Sequence, residues 1–114
     1  MASGTIQVPP IPNSKTSLFS TSSNVTAINH TFALSDDVEN YRFVMLMLYN
    51  GTPSAGTRGY LVVPTATLGT PQYWPLACGG TMGWLRLNLS SGKNLVTLES
   101  SYSTLYCRNI YGLK

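Results

Sequence analysis

Few side chains in this sequence are equipped for bond-making chemistry, and their spacing does not suit it. His30 is the one histidine, with no acid or nucleophile at a recognised distance, so it reads as a surface or interface residue. That count also excludes a site built from several histidine ligands. Asp36, Asp37 and Glu39 lie together, and the only other carboxylate, Glu99, is far along the chain. The first three lack the spacing of a calcium loop and suit the start of a helical turn, where amide dipoles favour negative charge. A glycosidase needs two carboxylates across a cleft, and only Glu99 is free to oppose that turn. No nucleophile elbow, phosphate-binding loop or dinucleotide fingerprint occurs. The chain therefore reads as non-catalytic, without metal or cofactor.

Cys78 and Cys107 are too few for a disulfide framework and have no metal spacing. A single bridge between them stays open, and two buried, reduced thiols are the preferred reading. The seven basic residues, Lys15, Arg42, Arg58, Arg86, Lys93, Arg108 and Lys114, stand singly against four acids, for a net charge of +3. Without a basic run or a basic stripe interleaved with aromatics, nucleic acid is not an expected partner. The longest apolar run, Phe43 to Leu48, is far short of a membrane span, so no membrane insertion is expected. No secretory signal pattern opens the chain, and the four glycosylation sequons read as chance in a Ser/Thr-rich sequence.

Aromatic residues are the better lead: seven Tyr, three Phe and two Trp among 114 residues. Flat rings pack against the apolar faces of sugars, while amides and guanidinium groups take the hydroxyls. Tyr73 and Trp74 sit between Pro71 and Pro75, in a segment expected near the surface. Arg58 and Tyr60 follow a Gly/Pro/Ser loop, and Tyr49 borders the same loop. Tyr49, Arg58, Tyr60, Tyr73 and Trp74 form the candidate ligand-binding patch. Competing readings are that Tyr73 and Trp74 only close the end of the fold, or that these rings line an oligomer interface. Trp84, in the middle of an alternating segment, reads as core.

Residues 1–14 carry Pro9, Pro10 and Pro12 and read as a linker or N-terminal extension, with one domain over 15–114. Short β-like segments follow at Ser17–Thr21 and Val25–Leu34, the latter with Val25, Ala27, Phe32 and Leu34 inward. Ser35 is the expected N-cap of one helical turn over 35–40. Tyr41–Tyr49 is the most hydrophobic segment and too short for a buried helix, so it reads as a central strand covered on both faces. Residues 50–59 and 65–72 read as loops around a strand at Gly59–Pro64. Tyr73–Cys78 is ambiguous and ends at Gly79-Gly80. Thr81–Leu89 and Asn94–Ser100 flank a hairpin turn, with Gly92 available for positive φ. A connection at 101–103 precedes the last strand, Thr104–Leu113. The sum is an all-β, jelly-roll-like two-sheet β-sandwich of seven or eight short strands with one helical turn.

Leu34, Ser35, Val38 and Tyr41 lead into the apolar strand, and the chain closes on Ile110, Tyr111, Gly112, Leu113 and Lys114. In these elements the chain resembles the C-terminal β-sandwich modules of bacteriophage and prophage tail fibres and tailspikes, over residues 15–114. That resemblance implies a homotrimeric virion protein of the tail, assembled in the host cytoplasm. It also implies joining to the rest of a fibre and binding a host-surface receptor or polysaccharide. The alternatives within the same fold are a trimerisation or folding module, or a capsid decoration protein, without ligand. No residue roles carry over from the resemblance. The low charged fraction, 10% against a typical ~25%, also suits a chain whose surface is partly covered by copies of itself.

Overall fold

A computed structural model describes residues 15–114, so the proline-rich stretch 1–14 lies outside the described residues. The alternating segments form eight antiparallel strands: β1 (Lys15–Thr26), β2 (His30–Ala33), β3 (Phe43–Asn50), β4 (Arg58–Pro64), β5 (Gln72–Cys78), β6 (Thr81–Ser91), β7 (Asn94–Ser100) and β8 (Leu105–Leu113). They make two four-stranded sheets, a front sheet ordered β1-β8-β3-β4 and a back sheet ordered β2-β7-β6-β5. First pairs with last and second with second-to-last, as in a jelly roll, while β3-β4, β5-β6 and β6-β7 pair sequence neighbours and complete a two-sheet sandwich. Between the sheets lies one core. Val44, Leu46 and Leu48 of β3, Leu61 and Val63 of β4 and Ile110 of β8 meet Phe32, Leu76, Leu85, Leu87 and Leu95. Burying each such side chain contributes about 1.5–3 kcal/mol, which lets period-2 alternation dictate the strand register.

Several expectations are corrected. Val25–Leu34 is not one strand but the corner where the chain changes sheets: β1 ends at Thr26 and β2 starts at His30. Asn29 turns the backbone at φ 53°, a left-handed conformation that Asn tolerates better than most residues. The corner keeps its backbone paired, with Ala27 N–H donating to Leu105 O at 2.7 Å and Asn29 N–H to Leu98 O at 2.9 Å. The helical turn is a 3-10 turn, Val38–Asn40, and its N-cap is Asp37, whose carboxylate accepts from Glu39 N–H at 2.9 Å. Ser35 instead donates its hydroxyl to Ser17 O at 3.2 Å, pinning the turn to β1. Two further 3-10 turns, Ala55–Thr57 and Thr65–Thr67, stand in the stretches read as loops.

Tyr73–Cys78 belongs to β5, an edge strand, which is where a sheet accepts a proline such as Pro75. Gly79 and Gly80 both take positive φ (62° and 75°), the pattern of a tight two-residue hairpin between Cys78 and Thr81. Gly92 is needed for a different reason from the one expected. A Cβ there would collide with the Asp37 carboxylate, because the turn packs against this hairpin and Val38 N–H donates to Gly92 O. In the connection at 101–103, Tyr102 is core: its hydroxyl donates to the carbonyls of Leu76 and Thr81, and its ring fills the space beside Gly83.

Both cysteines are free and buried. Cys78 Sγ donates to Thr57 O and Cys107 Sγ to Asn109 O. Burial pushes the Cys78 thiol up and the Cys107 thiol to about 12, so both stay protonated at neutral pH.

Candidate functional site

The five candidate residues do not form one patch. Tyr49, Arg58 and Tyr60 come together on the outer face of the front sheet. Tyr73 stands on the outer face of the back sheet, exposed. Trp74, its neighbour, points the other way and packs against the core, as strand alternation requires. Trp84, expected in the core, is half-buried on the outer face, because its neighbours Leu85 and Leu87 fill the interior.

The front face is built by register. Along β3, Phe43, Met45, Met47 and Tyr49 point outward, and each has a partner on either side. Phe43 lies between Pro64 and Leu113, Met45 between Val62 and Tyr111, Met47 between Tyr60 and Asn109, and Tyr49 between Arg58 and Tyr106. The expectation that β3 is covered on both faces thus holds within this chain for one face only. On the other, Phe43 is 39% exposed, Val62 48% and Tyr60 51%.

The last of these rows has different chemistry. Tyr49 is only 5% exposed yet takes no part in the core; cations cover its ring from both flanking strands. The Arg58 guanidinium lies 5.6 Å from the ring centre and that of Arg108 5.7 Å, both within cation–π range. Arg108 stands at an irregularity of β8, between Cys107 and Asn109 in the pairing with β3. Its Nη2 donates to Asn24 Oδ1 at 2.8 Å, which fixes the side chain. Interaction with Tyr49 first, and then with Tyr60, raises the pKa of Arg58, so it is a permanent cation. Lys15 adds a third positive group, 4.6 Å over the ring of Tyr111. Signal for Arg108 was absent from the sequence, since an irregularity inside a strand leaves no mark in alternation.

A second cluster occupies the back face. Tyr73 donates to Glu99 Oε1 at 3.0 Å, Arg86 bridges the same oxygen at 3.4 Å, and the Arg86 guanidinium lies 5.3 Å from the Tyr73 ring. Trp84 meets Tyr73 edge to face, with ring centres 5.0 Å apart. Here the one cation and the one anion neutralise each other. That is the single ion pair among the described residues, so on the front face Arg58 and Arg108 have no carboxylate partner.

An open hollow of about 390 Å³ lined by Val38, Glu39, Thr65, Ala66, Gly69 and Leu89 holds none of the candidate residues. Among the described residues no group of three or more His, Cys, Asp or Glu side chains could hold a metal ion, and no helix is long and apolar enough to cross a membrane. The segment after the 38–40 turn touches the end of β8. The Tyr41 ring lies directly over Gly112, where any Cβ would strike it, and Lys114 Nζ sits 5.6 Å from the ring centre. No protein-family model, curated protein or solved structure matches this chain.

Proposed function

We propose that this chain is a non-catalytic terminal module of a phage tail fibre or tailspike, carried on the virion, that binds a polysaccharide of the host surface. The observation that carries this reading is the cluster of Tyr49 and Arg58 in one row with Tyr60 in the next. Here an exposed, flat Tyr60 ring stands near the Arg58 guanidinium, on a sheet and not on a loop. Such a surface meets a sugar ring by its apolar face and its hydroxyls by fixed donors, with little ordering cost on binding. The contact between Tyr41 and Gly112 supports the family resemblance, because it supplies a physical reason for those two residue types to occur together.

Binding to host cells, or to their purified polysaccharide, tests the reading. Tyr60→Ala should weaken it by at least tenfold, the loss typical of a stacking anchor, with melting temperature nearly unchanged. A second reading, an oligomerisation or folding module without ligand, is favoured by the exposed apolar rows around Phe43, Met45 and Val62. Absence of cell binding in the parent protein, together with loss of assembly in the Tyr60 variant, would establish that second reading instead.

A further inference from the structure

The Arg58 and Arg108 guanidinium groups approach one tyrosine ring from strands on either side of it, at 5.6 and 5.7 Å, and no carboxylate of the described chain neutralises them. Of the four acidic residues, three cap or flank the 38–40 turn and the fourth, Glu99, is committed to Arg86 on the opposite face. Both cations stand within 5.7 Å of one ring centre, so an anion bound beside that ring is attracted by both. Guanidinium forks match planar, two-oxygen acceptors; Arg108 is held by Asn24, and Arg58 lies over the Tyr49 ring. Tyr60 then offers its half-exposed ring in the adjacent row.

We propose that the Arg58–Tyr49–Arg108 cluster is a binding site for an acidic saccharide, whose anionic group is met by the two guanidinium groups while its sugar ring lies on Tyr60. The inference rests on the polysaccharide-binding reading above and narrows it to acidic sugars. Carboxylate and phosphate substituents satisfy the same chemistry, and the experiment separates them. The back-face cluster is the internal contrast: its cation is already paired and has no call on an external anion.

The experiment uses the full chain on an array of uronate-, sialate- and phosphate-bearing oligosaccharides, each beside its methyl-esterified or dephosphorylated counterpart, with inorganic phosphate as a free competitor. Retention should be confined to acidic members and should weaken as salt rises, since exposed charges are screened. Arg58→Gln and Arg108→Gln should each lower affinity by at least tenfold, Arg108→Lys by less, and Arg86→Gln should change nothing. Melting temperatures of all variants control for folding, and Arg58→Gln carries the test should Arg108→Gln unfold. Retention of uronates and sialates identifies the carboxylate, and retention of phosphosugars identifies the phosphate; either supports the proposal. Equal retention of acidic and neutralised members, with loss on Tyr60→Ala, overturns the acidic-sugar site while leaving polysaccharide binding intact. Binding of inorganic phosphate with no sugar retained overturns it as well, as an anion site alone. Retention of nothing overturns both.

Discussion

Trp74 and Trp84 are ten residues apart, both indoles, and they face opposite sides of the same sheet. Alternation in β6 was visible in the sequence, but both of its faces are apolar: Met82 and Trp84 on one, Leu85, Leu87 and Leu89 on the other. Period alone then does not say which face is inside, and the larger ring is no guide when leucines fill the interior better. The same ambiguity put Tyr73 and Trp74 in one patch although adjacent strand residues must diverge. Only Tyr49, Arg58 and Tyr60 were brought together correctly, because they share a face and neighbouring strands. Two consequences are measurable by thermal or chemical denaturation. Trp74→Ala removes a ring packed on the core and should cost about 2–4 kcal/mol. Trp84→Ala removes an outer-face ring and should cost about 1 kcal/mol or less. The reverse order of effects would contradict this assignment of faces.

At the scale of elements, the turn between β2 and β3 organises one end of the molecule. Asp36 accepts from Tyr41 Oη at 2.9 Å, from Asn40 Nδ2 at 3.0 Å and from Asp37 N–H at 2.8 Å, tying both ends of the turn together. An acidic turn at 35–40 was legible from Ser35, Asp36, Asp37 and Glu39. The capping residue was not, because three of those side chains can cap and the choice depends on where β1 and the β6–β7 hairpin lie. The hydrogen bond from Tyr41, followed by that from Asp37 N–H, holds the Asp36 carboxyl below its ordinary value of 3.8. Tyr41 is raised by the same bond. A depressed carboxyl stabilises the fold above its unfolded-state pKa, and that stabilisation disappears as pH falls through the lower, folded-state value. Melting temperature should therefore hold from neutral pH down to about pH 4 and decline below the ordinary aspartate range. Asp36→Asn should start lower at neutral pH and lose less on acidification. A variant as acid-sensitive as the parent would show that the turn is not the responsible element.

Across the whole molecule, the two sheets differ in what they leave outside. The back sheet's outer face carries the paired polar side chains of Tyr73, Arg86 and Glu99, whereas two consecutive rows of the front sheet, Pro64–Phe43–Leu113 and Val62–Met45–Tyr111, are apolar from β4 to β8. The apolar run of β3 predicted burial on both faces, and the chain buries only one, so the outer face is the place where other copies would pack. Closed cyclic symmetry is the general route to homo-oligomers, and the proposed tail-fibre reading sets the expected number at three. Gel filtration with light scattering should then give about three times the 12.4 kDa chain mass. Val62→Lys, placing a charge at the centre of these rows, should shift the protein to monomer without unfolding it, since Val62 is half exposed in the single chain. Met82→Lys, equally apolar and more exposed but on the back sheet, should leave the mass unchanged. A trimer broken by Met82→Lys and untouched by Val62→Lys would move the interface to the other sheet, and a monomeric parent would remove it altogether.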